Sequence, residues 1–218
     1  MNVLMPQLVA ERFSVARIVA LSTGCVYSFV TPESGGSREE DAMDPPGEYA
    51  VSCKGREQAF IDAANRFGTA SALIRLNYSI DLRYGVLLDL ATKVWRRETV
   101  DLSMGFVNVI WQGDAIAQII RSLEHVTAPP FVLNVTGQDI LSVREIADAF
   151  GTHFGCDVRY TGTPAPTACL NNSAKAAQMF GPPTVLVSQM IHWVADWVSR
   201  GGATLGKPTH FETRDGNY

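Results

Sequence analysis

"ARIVALSTGCVYS", residues 16–28, opens on a short apolar, partly β-branched run and ends in hydroxyls and a glycine. Such a run reads as a buried strand of a parallel sheet. The segment "PESGGSREEDAMDPPGE", residues 32–48, is rich in turn formers and acids and reads as a loop. "YAVSCKGREQAFIDAANRF", residues 49–67, follows with Ala59, Phe60, Ala63, Ala64 and Phe67 at helical spacing and Gly68 as a stop. "ASALIRLNY", residues 70–78, is a second buried strand. Strand, loop, helix and strand make one βαβ unit and set the fold class as α/β.

The rest of the chain is consistent with that class. "YGVLLDLATKVWRR" is an amphipathic helix, and "VDLSMGFVNVIWQG" is strand-like but broken by Gly105. Asp114 stands as an N-cap for "AIAQIIRSLEH", and "PPFVLNVTG" is a further strand. Ser142 and Glu145 stand at capping-box spacing before a helix that Gly155 ends. "NNSAKAAQMFG" reads as a short helix and "TVLVSQMIHWVADWVSR" as a longer one closed by Gly201 and Gly202. "GKPTHFETRDGNY" reads as a polar, irregular tail, and "MPQLVAERF" as a first helix. A soft boundary near residue 80 divides the expected layout into residues 1–80 and residues 81–218, the latter built of smaller mixed elements.

Composition narrows the function. At 218 residues the chain suits one core, or one core with a lobe. It is 46% hydrophobic and 18% charged with a net charge of −4, which excludes disorder and gives no electrostatic footprint for nucleic acid or an anionic membrane. No apolar run approaches a membrane span, and the N-terminus meets acid and arginine too early for a signal peptide, so a cytoplasmic protein is expected. Cysteines 25, 53, 156 and 169 form no CxxC pair, and histidines 125, 153, 192 and 210 are scattered. Neither a disulfide framework nor a metal site is expected.

Three stretches in order, "ALSTGCVYS", "GEYAVSCKGRE" and "LIRLNY", resemble the NAD-dependent epimerase/dehydratase family of extended short-chain dehydrogenases/reductases. That family has a strand ending S-S/T-x-x-V-Y-G, then Y-x-x-x-K on a helix, then a strand with an arginine and a nearby asparagine. "VNVIWQGDAIAQII", "VLNVTGQDILSVREIADAF" and the last two helices resemble its substrate lobe. The resemblance implies a Rossmann-like NAD(P)-binding fold with a small mixed α/β substrate lobe. Its implied substrate is a nucleotide sugar or related polyol, with NAD or NADP as cofactor.

Residue by residue, it implies Thr23 as the hydroxyl on the reacting oxygen and Tyr49 as the acid/base. It also implies Tyr49 and the Cys53–Lys54 position as contacts to the cofactor ribose. Asn77 and Arg83 are the substrate-side candidates, although Asn77 could equally cap a turn. Asn134 in "NVTG" reads as a loop holder and Trp111 as core. A free phenol ionises near pH 10, so catalysis near neutrality needs a cation beside it. Here the fourth residue after Tyr49 is Cys53, and Lys54 is the fifth. At about 100° per residue, Lys54 lies about 140° from the tyrosine on a regular helix, facing elsewhere. Cys25 and Cys53 come within reach of one another and read as two packed small side chains in preference to a redox pair.

None of the 18 glycines forms G-x-x-G-x-x-G or G-x-G-x-x-G. "GGATLGKP" has P-loop spacing, but it follows a helix and carries Pro208 where magnesium needs a hydroxyl. The resemblance therefore implies a chain that starts near the family's fifth strand and lacks its glycine-rich loop. A partial sheet of that kind predicts an exposed edge at "RIVALST", faces short of a helix layer, and a homodimer or partner covering them. Three readings stand open at this level: an epimerase/dehydratase-like oxidoreductase or isomerase, a non-catalytic remnant that binds a small molecule or protein, and a truncated reading frame with no activity of its own.

Overall fold

The computed structural model describes residues 2–216, so the last two residues of the tail lie outside it. Helix α1 (Leu4–Arg12) leads into strand β1 (Ile18–Thr23). The long loop follows, and then helix α2 (Gly47–Phe67), which Gly68 ends in the left-handed region at φ 71°. Strand β2 (Ser71–Leu76) pairs parallel to β1 with Ile18 opposite Ser71 and Thr23 opposite Leu76. The βαβ unit is thus formed as its sequence predicts.

Beyond it come the pair-forming strand β3 (Ser79–Ile80), helix α3 (Val86–Trp95) and strand β4 (Thr99–Asp101). The strand-like stretch around Gly105 resolves into β5 (Phe106–Val107) and β6 (Ile110–Trp111), followed by helix α4 (Gln112–Arg121). Strand β7 (Phe131–Val135) adds to β2 in parallel and completes a three-stranded sheet of order β1-β2-β7. Then come β8 (Leu141–Ser142), α5 (Val143–Phe154), β9 (Arg159–Thr161), α6 (Ala174–Phe180) and α7 (Val187–Ser199). Ser142 caps α5 as expected, its hydroxyl accepting from the Glu145 amide at 3.3 Å.

Alternation along the sheet assigns its faces. Ile74 and Leu133 pack with Ala115 of α4 and Ala176 of α6, while Leu73 and Ala20 pack with Phe60 and Ala63 of α2 and Ala10 of α1. Helices therefore cover both faces at β2 and β7, whereas Leu21 of β1, in register with Ile74 on the α4/α6 face, is exposed, so the expected gap in the helix layer is confined to β1. Helix α1 does part of that work, and α4 and α6 return from later in the chain, so residues 1–80 and 81–218 share this sheet. Among the described residues β1 has no strand on its outer side, and Leu21 is exposed there. The largest core lies in the second layer, where Leu87, Leu90 and Val94 of α3 meet Val143, Ala147 and Phe150 of α5 and Met190 and Val194 of α7.

Asp114 is a second correction. It lies inside α4 rather than before it, and its carboxylate accepts from the Thr184 and Val185 amides at 3.0 Å and from the Thr184 hydroxyl at 2.6 Å. It caps the turn that enters α7. The tail is irregular, as read, yet docked: Phe211 is buried in the large core, and Arg214 donates to the Thr167 carbonyl and hydroxyl oxygens at 2.6 and 2.8 Å.

Candidate active site

In parallel sheets the carboxyl ends of the strands open onto ligand crevices. Here β1 ends at Thr23 and β2 at Leu76, and a cavity of about 600 Å³ opens beside both. Thr23, Cys25 and Tyr49 line its inner wall, Asn77 and Tyr78 its middle, and Arg83, Thr209 and His210 its outer wall. Tyr78 and His210 both hold left-handed backbone, at φ 39° and 52°. Non-glycine residues rarely do so outside sites that constrain them.

Thr23 and Tyr49 are brought together. Thr23 is buried, its hydroxyl oxygen accepts from the Cys25 amide at 3.2 Å, and it hydrogen-bonds the Tyr49 phenol. Tyr49 stands in the first turn of α2, partly exposed to the cavity. Partial burial, followed by the neighbouring Cys53 and Cys25 thiols, pushes its phenol up to about 12, with Thr23 acting weakly the other way. Cys53 is fully buried beside Val26, Tyr27 and Met43, and burial raises its thiol too.

Lys54 lies on another face, as the helical angle predicts. Its Nζ donates to the Met43 carbonyl at 3.0 Å on the exposed side of α2. The helix runs unbroken from Gly47, and Glu57, eight residues after Tyr49, fixes its rotation. The Glu57 carboxylate receives Arg75 of β2 through Nε at 3.1 Å and Nη2 at 2.8 Å, and the Ser22 hydroxyl at 2.5 Å. Arg75 Nη1 also donates to the Tyr27 hydroxyl at 2.5 Å, which donates to Asn134 Oδ1 at 3.0 Å. No bulge brings Lys54 to the phenol.

Asn77 lines the cavity but its amide is engaged, donating to Asn108 Oδ1 at 3.1 Å and to the Cys169 carbonyl at 3.2 Å. Arg83 lies at the rim, exposed, with Nη2 3.0 Å from Asp81 Oδ2. Asn134 holds two loops through the Ser37 and Asn172 carbonyls, as read from "NVTG". Trp111 packs edge-on to Trp193 at 5.3 Å, away from the cavity wall. The buried Ser22–Glu57–Arg75–Tyr27 network was missed in sequence, although a glutamate on the Cys53–Phe60 face of a helix was its signal. The outer wall had none, because it comes from the polar tail.

No family model and no curated protein matches the sequence. Solved structures do match. UDP-glucose 4-epimerase from Thermotoga maritima, solved with UDP-glucose, superposes over 92% of this chain and 70% of its own, with a TM-score of 0.75 at 14% identity. UDP-glucuronic acid 4-epimerase from Bacillus cereus, solved with UDP-glucuronic acid and NAD, gives 0.77 at 16% identity over 91% and 67%. dTDP-glucose 4,6-dehydratase from Bacillus anthracis, solved with NAD, gives 0.75 at 16% identity over 91% and 66%. The fold is that of the sugar-nucleotide epimerases and dehydratases. This chain spans about two thirds of their length, and within that epimerase fold its sheet is the three-stranded β1-β2-β7. No helix among the described residues is long and apolar enough to cross a membrane.

Proposed function

We propose that this chain is an epimerase/dehydratase-type protein whose cavity takes a nucleotide sugar or a related polyol. The observation that carries the reading is the Thr23–Tyr49 pair, two neighbouring hydroxyls on the wall of one cavity at the strand ends. Two hydroxyls there can hold one sugar hydroxyl between them, Thr23 fixing its position and Tyr49 offering a proton. Arg83 and His210 at the outer part supply the charged and polar contacts that a phosphorylated ligand needs. The kinship of fold supports the same ligand class.

NAD or NADP is the redox partner that this kind of protein would use, and the residues present do not fit it. Tyr49 keeps its proton to about 12, the fully buried Cys53 thiol stands where a cation is needed, and Lys54 is engaged on the other side. These residues support ligand binding without hydride transfer. The second reading, a binding protein without turnover, is favoured by the same Cys53.

Thermal unfolding with UDP-glucose, UDP-glucuronic acid, dTDP-glucose, UDP alone and NAD⁺ tests this. A ligand at a hundred times its Kd stabilises by about 2.7 kcal/mol, a shift of roughly 5–10 °C at this chain length. A nucleotide sugar should give that shift and NAD⁺ should not. A cooperative transition that no nucleotide sugar moves would refute the binding proposal, and a clear NAD⁺ shift would refute the misfit.

A further inference from the structure

Cys25 and Cys169 are 144 positions apart in the chain but neighbours in the fold. Cys25 sits in the short 3-10 turn after β1, half-buried, on the inner wall of the cavity. Cys169 is buried in the core cluster against which Cys25 packs, in a segment held by Ala168, which exchanges backbone hydrogen bonds of 2.8 and 3.0 Å with Val30. The Cys25 thiol is the neighbour that most strongly raises the Cys169 thiol, and Cys169 Sγ lies 3.9 Å from Asn77 Oδ1. Cys53 is turned to the Tyr49 phenol, and Cys156 faces the Val94 carbonyl at 3.9 Å, off the cavity wall.

We propose that Cys25 and Cys169 are a thiol–disulfide couple, with Cys25 the thiol reached through the cavity and glutathione disulfide or a similar small disulfide as oxidant. The Cys25 thiolate attacks one sulfur of the oxidant, and one glutathione leaves as thiolate and takes up the proton that Cys25 gave. Cys169 then attacks the Cys25 sulfur, its proton passing to the second departing glutathione. Two protein thiols are oxidised to one disulfide, and one glutathione disulfide is reduced to two glutathiones. Interaction of its own S–H with the Cys25 sulfur, and then burial, hold the Cys169 proton tightly, so the second step is the slow one.

Trypsin separates the four cysteines into peptides 18–38, 39–54, 145–159 and 160–175, so each linkage is distinguishable by mass. After native incubation with glutathione disulfide, acid quench and alkylation, peptides 18–38 and 160–175 should lose their free thiols together and appear linked. Excess reduced glutathione should undo the link. In Cys169→Ser the 18–38 peptide should instead accumulate as a glutathione adduct. A lasting adduct on Cys25 in the unmutated protein, a link from Cys25 to Cys53, or oxidation of Cys156 with Cys25 untouched would each overturn the proposal. Should Cys169→Ser not fold, phenylarsine oxide on the unmutated protein decides. It needs two adjacent thiols, so protection of both peptides from alkylation supports the couple and protection of neither refutes it.

Discussion

Replacing Glu57 by Leu should be among the most damaging single changes this chain can suffer. The Arg75 and Glu57 side chains are 5% and 1% exposed, and their closest approach is 2.8 Å. Removing the carboxylate leaves a buried guanidinium with only the Tyr27 hydroxyl, the Glu39 carbonyl and the Met43 sulfur as polar neighbours. Leaving one charge of a buried pair uncompensated costs about 3–5 kcal/mol. Urea unfolding followed by circular dichroism reads this directly. With a slope of about 2 kcal/mol per molar, the midpoint should fall by about 1.5–2.5 M. Arg75→Met should cost a similar amount, because it strands the carboxylate with Ser22 alone. The double variant Glu57→Leu/Arg75→Met should recover most of the loss, since it buries no charge. A Glu57→Leu protein within about 1 kcal/mol of its parent would refute the claim that this pair holds α2 in rotation against β2.

Other perturbations probe the site more directly. Cys53→Lys should bring the Tyr49 ionisation down from about 12, read as tyrosinate absorbance against a Tyr49→Phe control; an unmoved titration would show that burial alone sets it. Because the folded protein holds the Tyr49 proton above the free value of 10, the stabilising term is intact below pH 10 and lost as pH rises towards about 12. Alkaline stability should therefore decline less steeply in Tyr49→Phe than in the parent, and equal slopes would contradict the raised value. Gly24→Ala should destabilise by about 1–3 kcal/mol, because the added methyl would collide with the Asn171 side chain and lie 2.8 Å from Asn77 Cβ. Asp114→Ala should cost about 1 kcal/mol in urea unfolding by releasing the Thr184–Val185 turn.

The βαβ unit was legible because each signal in it is local: an apolar run, a turn-rich loop, helical spacing and Gly68. The angular argument for Lys54 held for the same reason, since α2 is regular from its first residue. Thr23 and Tyr49 were legible as a pair only through motif order, and the fold sets them side by side. Asp114 misled because an acid before an apolar helix is an N-cap by default, whereas here its partners lie 70 and 71 positions away. The helix layers over β2 and β7 were not legible because α4 and α6 reach the sheet from distant sequence, which no local pattern reports, while the gap over Leu21 of β1 was. Arg83 lines the cavity at its exposed rim, paired with Asp81, and Asn77 spends its amide on Asn108 and Cys169, contacts set by tertiary packing alone.

The docked tail ties the history of the chain to its cavity. Thr209 donates its amide and hydroxyl to Asp89 Oδ2 at 2.7 and 2.6 Å, across 120 positions of sequence. Phe211 next to it fills the large core. During synthesis, Thr23, Cys25 and Tyr49 emerge long before Thr209 and His210, so the inner wall must wait until the tail that completes the cavity is translated. Docking of residues 205–211 and enclosure of a ligand are then one event in free-energy terms. Whatever fills the cavity should slow proteolytic clipping of this segment, and whatever clips it should empty the cavity.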